Sequence, residues 1–189
     1  IVVDEMMSPE DVMAKTSVGD YKVLSASGWI FYNPDSGKPY TGIGTPPVNF
    51  VPFRYEDMAF FNMRDDLAAN DTRAMLSPHG VSPSYHIVQN SELCDIVKAV
   101  IGHAGATIET AGTLKNGKLV WILSRFPTDS LVAGEEVRRY ILIYGSHDGS
   151  TPIVVAATSI RVVCWNTLSA ALAENNENRI NIKHTVNAA

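Results

Sequence analysis

Residues 90–126, NSELCDIVKAVIGHAGATIETAGTLKNGKLVWILSRF, decide the fold. Leu93, Ile96, Val97, Val100 and Ile101 recur at i, i+3, i+4, i+7 and i+8, which predicts a helix with one buried face. Asn90 or Ser91 is its expected N-cap and Gly102 its expected stop. Thr107 to Leu114 and Lys118 to Phe126 then read as strands flanking Lys115-Asn116-Gly117, where Asn-Gly favours the positive φ angles of a type I′ turn. A one-faced helix followed by a hairpin predicts an α+β chain: a twisted, mainly antiparallel sheet with helices packed on one face.

Working outward, Tyr140 to Tyr144 and Ile153 to Ser159 are nearly continuous apolar runs, read as central strands buried on both sides. They flank the polar loop Gly145-Ser146-His147-Asp148-Gly149-Ser150-Thr151. Arg161 to Trp165 reads as a further strand leading into a short helix capped by Asn166 or Thr167 and carrying Leu168, Ala171 and Leu172. Upstream, Ser8-Pro9-Glu10-Asp11 supplies an N-cap, a proline at the first helical position and two carboxylates, so a first helix is expected to stop by Gly19. Tyr21 to Leu24, Trp29 to Tyr32, Met58 to Arg64, Thr72 to Ser77 and Tyr85 to Val88 read as short strands. Prolines and glycines crowd residues 33–52, read as loop with one short strand. The expected division is residues 1–57, an N-terminal helix and proline-rich arm, and residues 58–189, an α+β core domain. Residues 175–178 read as a surface loop. Residues 180–189 end without a finished element, so the chain is expected to continue or to fray.

The 189 residues are 46% hydrophobic and 19% charged, which excludes a wholly disordered chain, a collagen-like fibre and a coiled coil. No stretch approaches the roughly 18 to 20 apolar residues of a membrane span, and the acidic start at Asp4 and Glu5 is unlike a secretory signal. A cytoplasmic protein without a membrane partner is expected. Cys94 and Cys164 stand far apart with no CxxC, and GxGxxG, Walker A, HExxH and GxSxG are missing from the sequence. No metal and no cofactor are expected. Residues 1–105 carry a net charge of −6 and residues 106–189 a net of +1, within a total of −5. Such a chain binds polyanions only through a local basic stripe.

Three groups of residues can carry chemistry. Ser146, His147 and Asp148 in the glycine-bounded loop can hold a phosphate or carboxylate, and His147 beside Asp148 can act as a base or metal ligand; the same side chains can equally serve only to shape the loop. Strand alternation sets Arg161 and Trp165 on one face, a pairing that grips phosphate or stacks on a base, while Arg161 can also neutralise a buried carboxylate. Cys164 as nucleophile would need His184, the only histidine after it. The basic set Lys115, Lys118, Arg125, Arg138, Arg139, Arg161, Arg179 and Lys183 can form a stripe only if several strands contribute, with Tyr140, Tyr144, Trp121 and Trp165 as aromatic partners.

Five blocks in order, residues 85–93, 109–117, 146–150, 161–168 and 182–185, resemble the signatures of DUF932, a phage and plasmid-like family of unknown function. The resemblance covers about residues 58–187 and implies a mobile-element protein of the bacterial cytoplasm, with no established reaction. A helix on a hairpin sheet is similar to Rad52-like single-strand annealing proteins, which implies single-stranded DNA as partner and a homo-oligomer. The leading expectation is a non-enzymatic binder of single-stranded nucleic acid, with Arg161, Arg138, Arg139, Lys118 and Lys183 on phosphate and Trp165 or Tyr144 stacking. The alternative is an interaction protein that binds a host defence or restriction factor, its acidic first half standing in for DNA. A third, enzymatic reading puts a base or metal at His147 and Asp148.

Overall fold

The computed structural model describes residues 6–32, 39–42, 51–52, 59–67, 71, 73–174 and 179–185. Helix α1 (Pro9–Lys15) begins where its capping box dictates: Ser8 Oγ accepts from the Asp11 N–H at 3.1 Å, and Asp11 Oδ2 accepts from the Ser8 N–H at 3.1 Å. Strand β1 (Val23–Tyr32) joins the two short runs read in the sequence into one element. Strands β2 (Pro39–Gly42) and β3 (Val51–Pro52) pair with its second half, and β4 (Ala59–Arg64) pairs antiparallel with its first half. The rest of the proline-rich stretch between 33 and 50, and the loop read at 175–178, lie outside the described residues.

Helix α2 (Asn90–Ala104) forms on the predicted periodicity, with different ends. Its N-cap is Gln89, because Asn90 turns inward, and it runs one half-turn past Gly102 to Gly105, which adopts φ 62° as a left-handed stop. Strands β5 (Thr107–Leu114) and β6 (Leu119–Arg125) make the predicted hairpin. Its turn is longer than a type I′ turn: Leu114 faces Leu119, and Lys115, Asn116 and Gly117 all take positive φ of 52°, 59° and 94°. Lys118 therefore lies in the turn, not on a strand face.

Strands β7 (Ser130–Val132) and β8 (Glu135–Val137) form a separate exposed hairpin. Strands β9 (Tyr140–Ser146), β10 (Ile153–Thr158) and β11 (Arg179–Ile182) complete an antiparallel five-stranded sheet in the order β11-β10-β9-β6-β5. Helix α3 (Trp165–Glu174) precedes β11. Three expected strands do not form among the described residues. Of Thr72 to Ser77 only Met75 makes a bridge, to Met63, beside a turn closed by the Ala74 N–H on the Asp71 carbonyl. Residues 85–88 join no ladder: the Tyr85 hydroxyl donates to the Ser146 carbonyl and the His86 N–H to the His184 carbonyl. Residues 161–163 likewise have no strand partner.

The chain is thus α+β with a mainly antiparallel sheet. Its helices cover both faces, not one. Val120, Ile122, Ile141, Ile143 and Ile153 pack with Val12 of α1 and Leu93 and Val97 of α2. The alternate residues Trp121, Leu123, Tyr140, Leu142 and Val154 pack with Leu168 and Ala171 of α3. Strands apolar at every position leave neither face for water, so a second helical layer is obligatory. Gly112 faces Trp121 across the ladder, and a Cβ there would sit 2.4 Å from the indole. The outer edge of β5 is occupied by the N-terminal segment, through the Met7–Ile108 bridge and the Thr113 N–H on Ser17 Oγ at 3.1 Å. Among the described residues β11 pairs only with β10, which leaves its outer edge open.

Candidate functional site

The register gives the sheet two unlike ends, about 20 Å apart along β6 at roughly 3.3 Å per residue. The loop end holds the 115–118 turn and the 146–152 loop. The other, the arginine end, holds Arg125 and the entry to β9 at Arg138 and Arg139.

At the loop end, segments far apart in the chain meet through buried polar groups. His147 is only 5% exposed and sits against the edge of the Tyr21 ring. Asn90 donates through Nδ2 to the Val18 carbonyl at 2.7 Å, so its Oδ1 accepts from His147 Nε2–H at 2.9 Å. His147 Nδ1 is then a bare lone pair, buried and without a partner. Burial pushes its pKa down to about 4, nearby His184 adding to the effect and Asp148 opposing it. The His147 N–H donates to the Lys118 carbonyl at 2.8 Å, and its carbonyl accepts from Asn62 Nδ2 at 2.7 Å. The Tyr21 hydroxyl donates to the Gly117 carbonyl at 2.6 Å, and a Cβ on Gly117 would meet that hydroxyl at 2.7 Å.

Ser146 Oγ accepts from the Thr151 N–H at 2.9 Å and donates to the Thr151 carbonyl at 3.1 Å, closing the loop on itself. Asp148 Oδ1 accepts from the Ser150 N–H at 2.9 Å. Burial raises the Asp148 pKa, but hydrogen bonds from Ser150 and Ser146 and the charge of Lys118 leave it below the usual carboxylate value. His184 stacks on Tyr85 at 4.7 Å between ring centroids. Both its ring nitrogens are buried without hydrogen bonds, and burial lowers its pKa against the opposing main chain of His86 and Thr151. His147 and His184 line a common inner cavity of about 10 Å³, and His184 also lines an open cleft of about 360 Å³ with Lys183, Thr151 and Gly149. Among the described residues no group of three or more His, Cys, Asp or Glu side chains can hold a metal.

The expected site residues therefore separate. Ser146, His147, Asp148, Lys118 and Lys183 gather at the loop end. Arg138 and Arg139 stand at the arginine end, where Arg139 donates to Thr128 at 3.2 Å and lies over Phe126. Arg161 bonds Glu109, the extra residue at a register shift in β5, and with Arg125 lines a cavity of about 230 Å³. Trp165 is 45% exposed, with Lys115 Nζ 4.3 Å from its ring centroid. Thr110 donates to the Val162 carbonyl, so residues 161–165 follow β5 from Glu109 to Lys115 and separate Arg161 from Trp165. Tyr144 is 7% exposed within the α3-side core, where its ring cannot stack on a ligand. Cys164 is exposed, its thiol held below the usual value by the Thr167 amide and hydroxyl, on the β5 side of the sheet and remote from His184. The nucleophile and base of that reading do not meet.

Residues 78–189, more than half the chain, match the family described as a domain of unknown function, DUF932. The chain belongs to the DUF932 family. No curated protein and no solved structure matches it significantly. No helix among the described residues is long and apolar enough to cross a membrane. Within this DUF932 chain, four of the five blocks that carry the resemblance meet at the loop end: Tyr85 and Asn90, the 115–117 turn, residues 146–150, and Lys183 with His184.

In the sequence Asn90 reads only as a helix cap and His184 only as a base for Cys164, and Tyr85 does not stand out as a site residue. A signal for Asn90 exists, since it stands three and seven residues before Leu93 and Val97 and so shares their buried face. Tyr85 and His184 lie in quoted blocks, yet nothing in one chain pairs residues 99 positions apart.

Proposed function

We propose that this DUF932 chain binds single-stranded nucleic acid by its phosphates, acting in a bacterial cytoplasm. One observation supports this reading: Arg138, Arg139, Arg179 and Lys183 follow one another around the open β11 side of the sheet, and none makes an ion pair among the described residues. By register Arg179 stands level with Leu142, two strands across and three residues along from Arg139, about 14 Å away, and Lys183 lies about 13 Å beyond Arg179, spacings that a flexible strand can bridge. Unpaired guanidinium and ammonium groups attract a polyanion without first breaking a salt bridge. Arg161, matched to Glu109, and Lys118, in the turn, are off this rim, and with Tyr144 buried and Trp165 on the far edge the reading predicts binding with little base preference. The likeness of a helix on a hairpin sheet to Rad52-like annealing proteins agrees with it as analogy.

Fluorescence anisotropy with a labelled oligonucleotide tests it. Four phosphate contacts predict a slope of log affinity against log salt near about −3. Combined Arg138→Glu, Arg139→Glu and Arg179→Glu should abolish binding, while Lys115→Ala, on the opposite edge, should leave it intact. Absent or salt-insensitive binding, or undiminished binding by the triple variant, refutes the proposal.

A second reading, docking to a host defence or restriction protein, draws on a different feature. The β7–β8 hairpin presents Leu131 and Val132 to solvent, 75% and 57% exposed. An apolar contact of that kind gains little from low salt. A purified defence factor retained at high salt, and lost by Leu131→Ser, would favour it.

A further inference from the structure

The open cleft beside the 146–152 loop is more specific than a charged rim. It is lined by Ser82, Ser84, Thr151, Lys183 and Thr185, which bring four hydroxyl side chains and one ammonium to a single cleft. Ser82 and Ser84 hydroxyls lie 2.8 Å apart, so one can donate to the other while its neighbour turns to a ligand. No side-chain hydrogen bond from Thr151 or Thr185 is formed among the described residues, so both hydroxyls are free to donate. The Asp148 carboxylate accepts from the Ser150 amide and stays ionised near the cleft, so the Lys183 ammonium has to outweigh its charge.

A second feature points the same way. The His184 ring lines the cleft, and its two nitrogens are buried with no partner, an arrangement that native proteins seldom leave unfilled. Its stack on Tyr85 fixes the ring plane from behind. One ammonium, four hydroxyls and the single N–H of a neutral His184 imidazole make a donor-rich set, which suits an oxyanion. At about 360 Å³ the space takes a phosphate with one sugar and excludes a run of stacked nucleotides.

We propose that this cleft is a binding site for a phosphate monoester, its oxygens held by Lys183, His184 and the hydroxyls of Ser82, Ser84, Thr151 and Thr185. The proposal shares Lys183 with the rim described above but does not depend on strand binding. The monoester can be the terminal phosphate of a strand or that of a free mononucleotide, and internal phosphodiesters, which carry fewer free oxygens, fit the donor set less well.

Isothermal titration calorimetry on the full chain with inorganic phosphate, a 5′-mononucleotide and the matching nucleoside provides the test. Both phosphates should bind and the nucleoside should not. Lys183→Gln should weaken the mononucleotide at least tenfold and Thr185→Ala several-fold, with thermal melting showing that both variants fold. Competition between 5′-phosphorylated and 5′-hydroxyl oligonucleotides separates the sources: preference for the phosphorylated end assigns the strand terminus, and no preference beside mononucleotide binding assigns the free nucleotide. Failure of inorganic phosphate and mononucleotide to bind at millimolar concentration, or unchanged affinity in Lys183→Gln, overturns the site. Loss of oligonucleotide binding with mononucleotide binding retained would instead refute the rim and leave the cleft standing.

Discussion

The two ends of the five-stranded sheet are held by opposite means. At the loop end the bonds join residues remote in the chain: Tyr21 to Gly117, Asn62 to His147, Asn90 to Val18 and His147, Tyr85 to Ser146. At the arginine end they are mostly local and open to water, as in Arg125 to Asp129 four residues on, or Arg139 to Thr128, with Arg161 to Glu109 the long-range exception. Buried polar groups lose their full hydration when a partner is removed, whereas exposed ones regain water. The loop end therefore specifies the tertiary structure and holds a cleft in fixed shape, while the arginine end can change its charges with little effect on the fold.

The largest test of that contrast is Asn90→Ala. The substitution deletes the bonds to the Val18 carbonyl and to His147, both inside a region with no solvent to replace them. A loss of about 3 kcal/mol is expected, two buried partners each left unsatisfied. Urea denaturation measures it directly. A loss under about 1 kcal/mol, the size of a surface effect, would show that the network is incidental to stability.

What the sequence could reveal follows from the same contrast. Helix α2, the β5–β6 hairpin and the doubly buried β9 and β10 were legible because each is written in local periodicity or turn chemistry. The second helical layer was implicit in those apolar runs, which have no polar face to show to water. Residues 85–88 and 161–163 have the composition of strands, but side-chain and main-chain bonds to distant segments take the place of a ladder. The loop 146–150 was legible as a candidate by its residue types. Its partners Tyr85, Asn90 and His184 were not, because contacts across 57 to 99 positions leave no periodic trace in a single chain. The spread of the basic set was not legible for a related reason: Arg125, Arg138 and Arg139 fall at one end of the sheet and Lys118 and Lys183 at the other, which only the strand register reveals.

Acid should act on the loop end next most strongly. The His147 pKa of about 4 in the folded chain lies below the ordinary value near 6.5, so as pH falls the unfolded chain takes up the proton first. The stabilisation from a neutral His147 is complete above about pH 6.5 and decays toward pH 4. Between pH 7 and pH 5 the loss should be about 2 kcal/mol, with His184, also lowered by burial, contributing in the same direction. Asp11 and Asp71, held near about 2 by Lys15 and Arg73, remain ionised throughout that interval and add nothing to it. Thermal melts of the native chain and of His147→Gln across pH 7 to 5 should diverge, the variant showing the flatter dependence. Parallel curves would place the titrating group elsewhere.

The smallest expected effect belongs to the arginine end. Arg125 Nη2 reaches both Asp129 oxygens at 3.4 Å, with the two side chains 34% and 26% exposed. A long, hydrated pair of this kind gives roughly 0.2 to 1 kcal/mol, and salt reduces even that. Arg125→Ala should therefore shift the unfolding midpoint only slightly, and the shift should vanish at high ionic strength as the pair is screened. The guanidinium also lines the cavity shared with Arg161 and Glu109, so a second route to stability exists through that cluster. A salt-resistant loss above about 2 kcal/mol would show that Arg125 is held by this cluster and not by Asp129. The arginine end would then be as rigid as the loop end, and the contrast between them would reduce to one of charge.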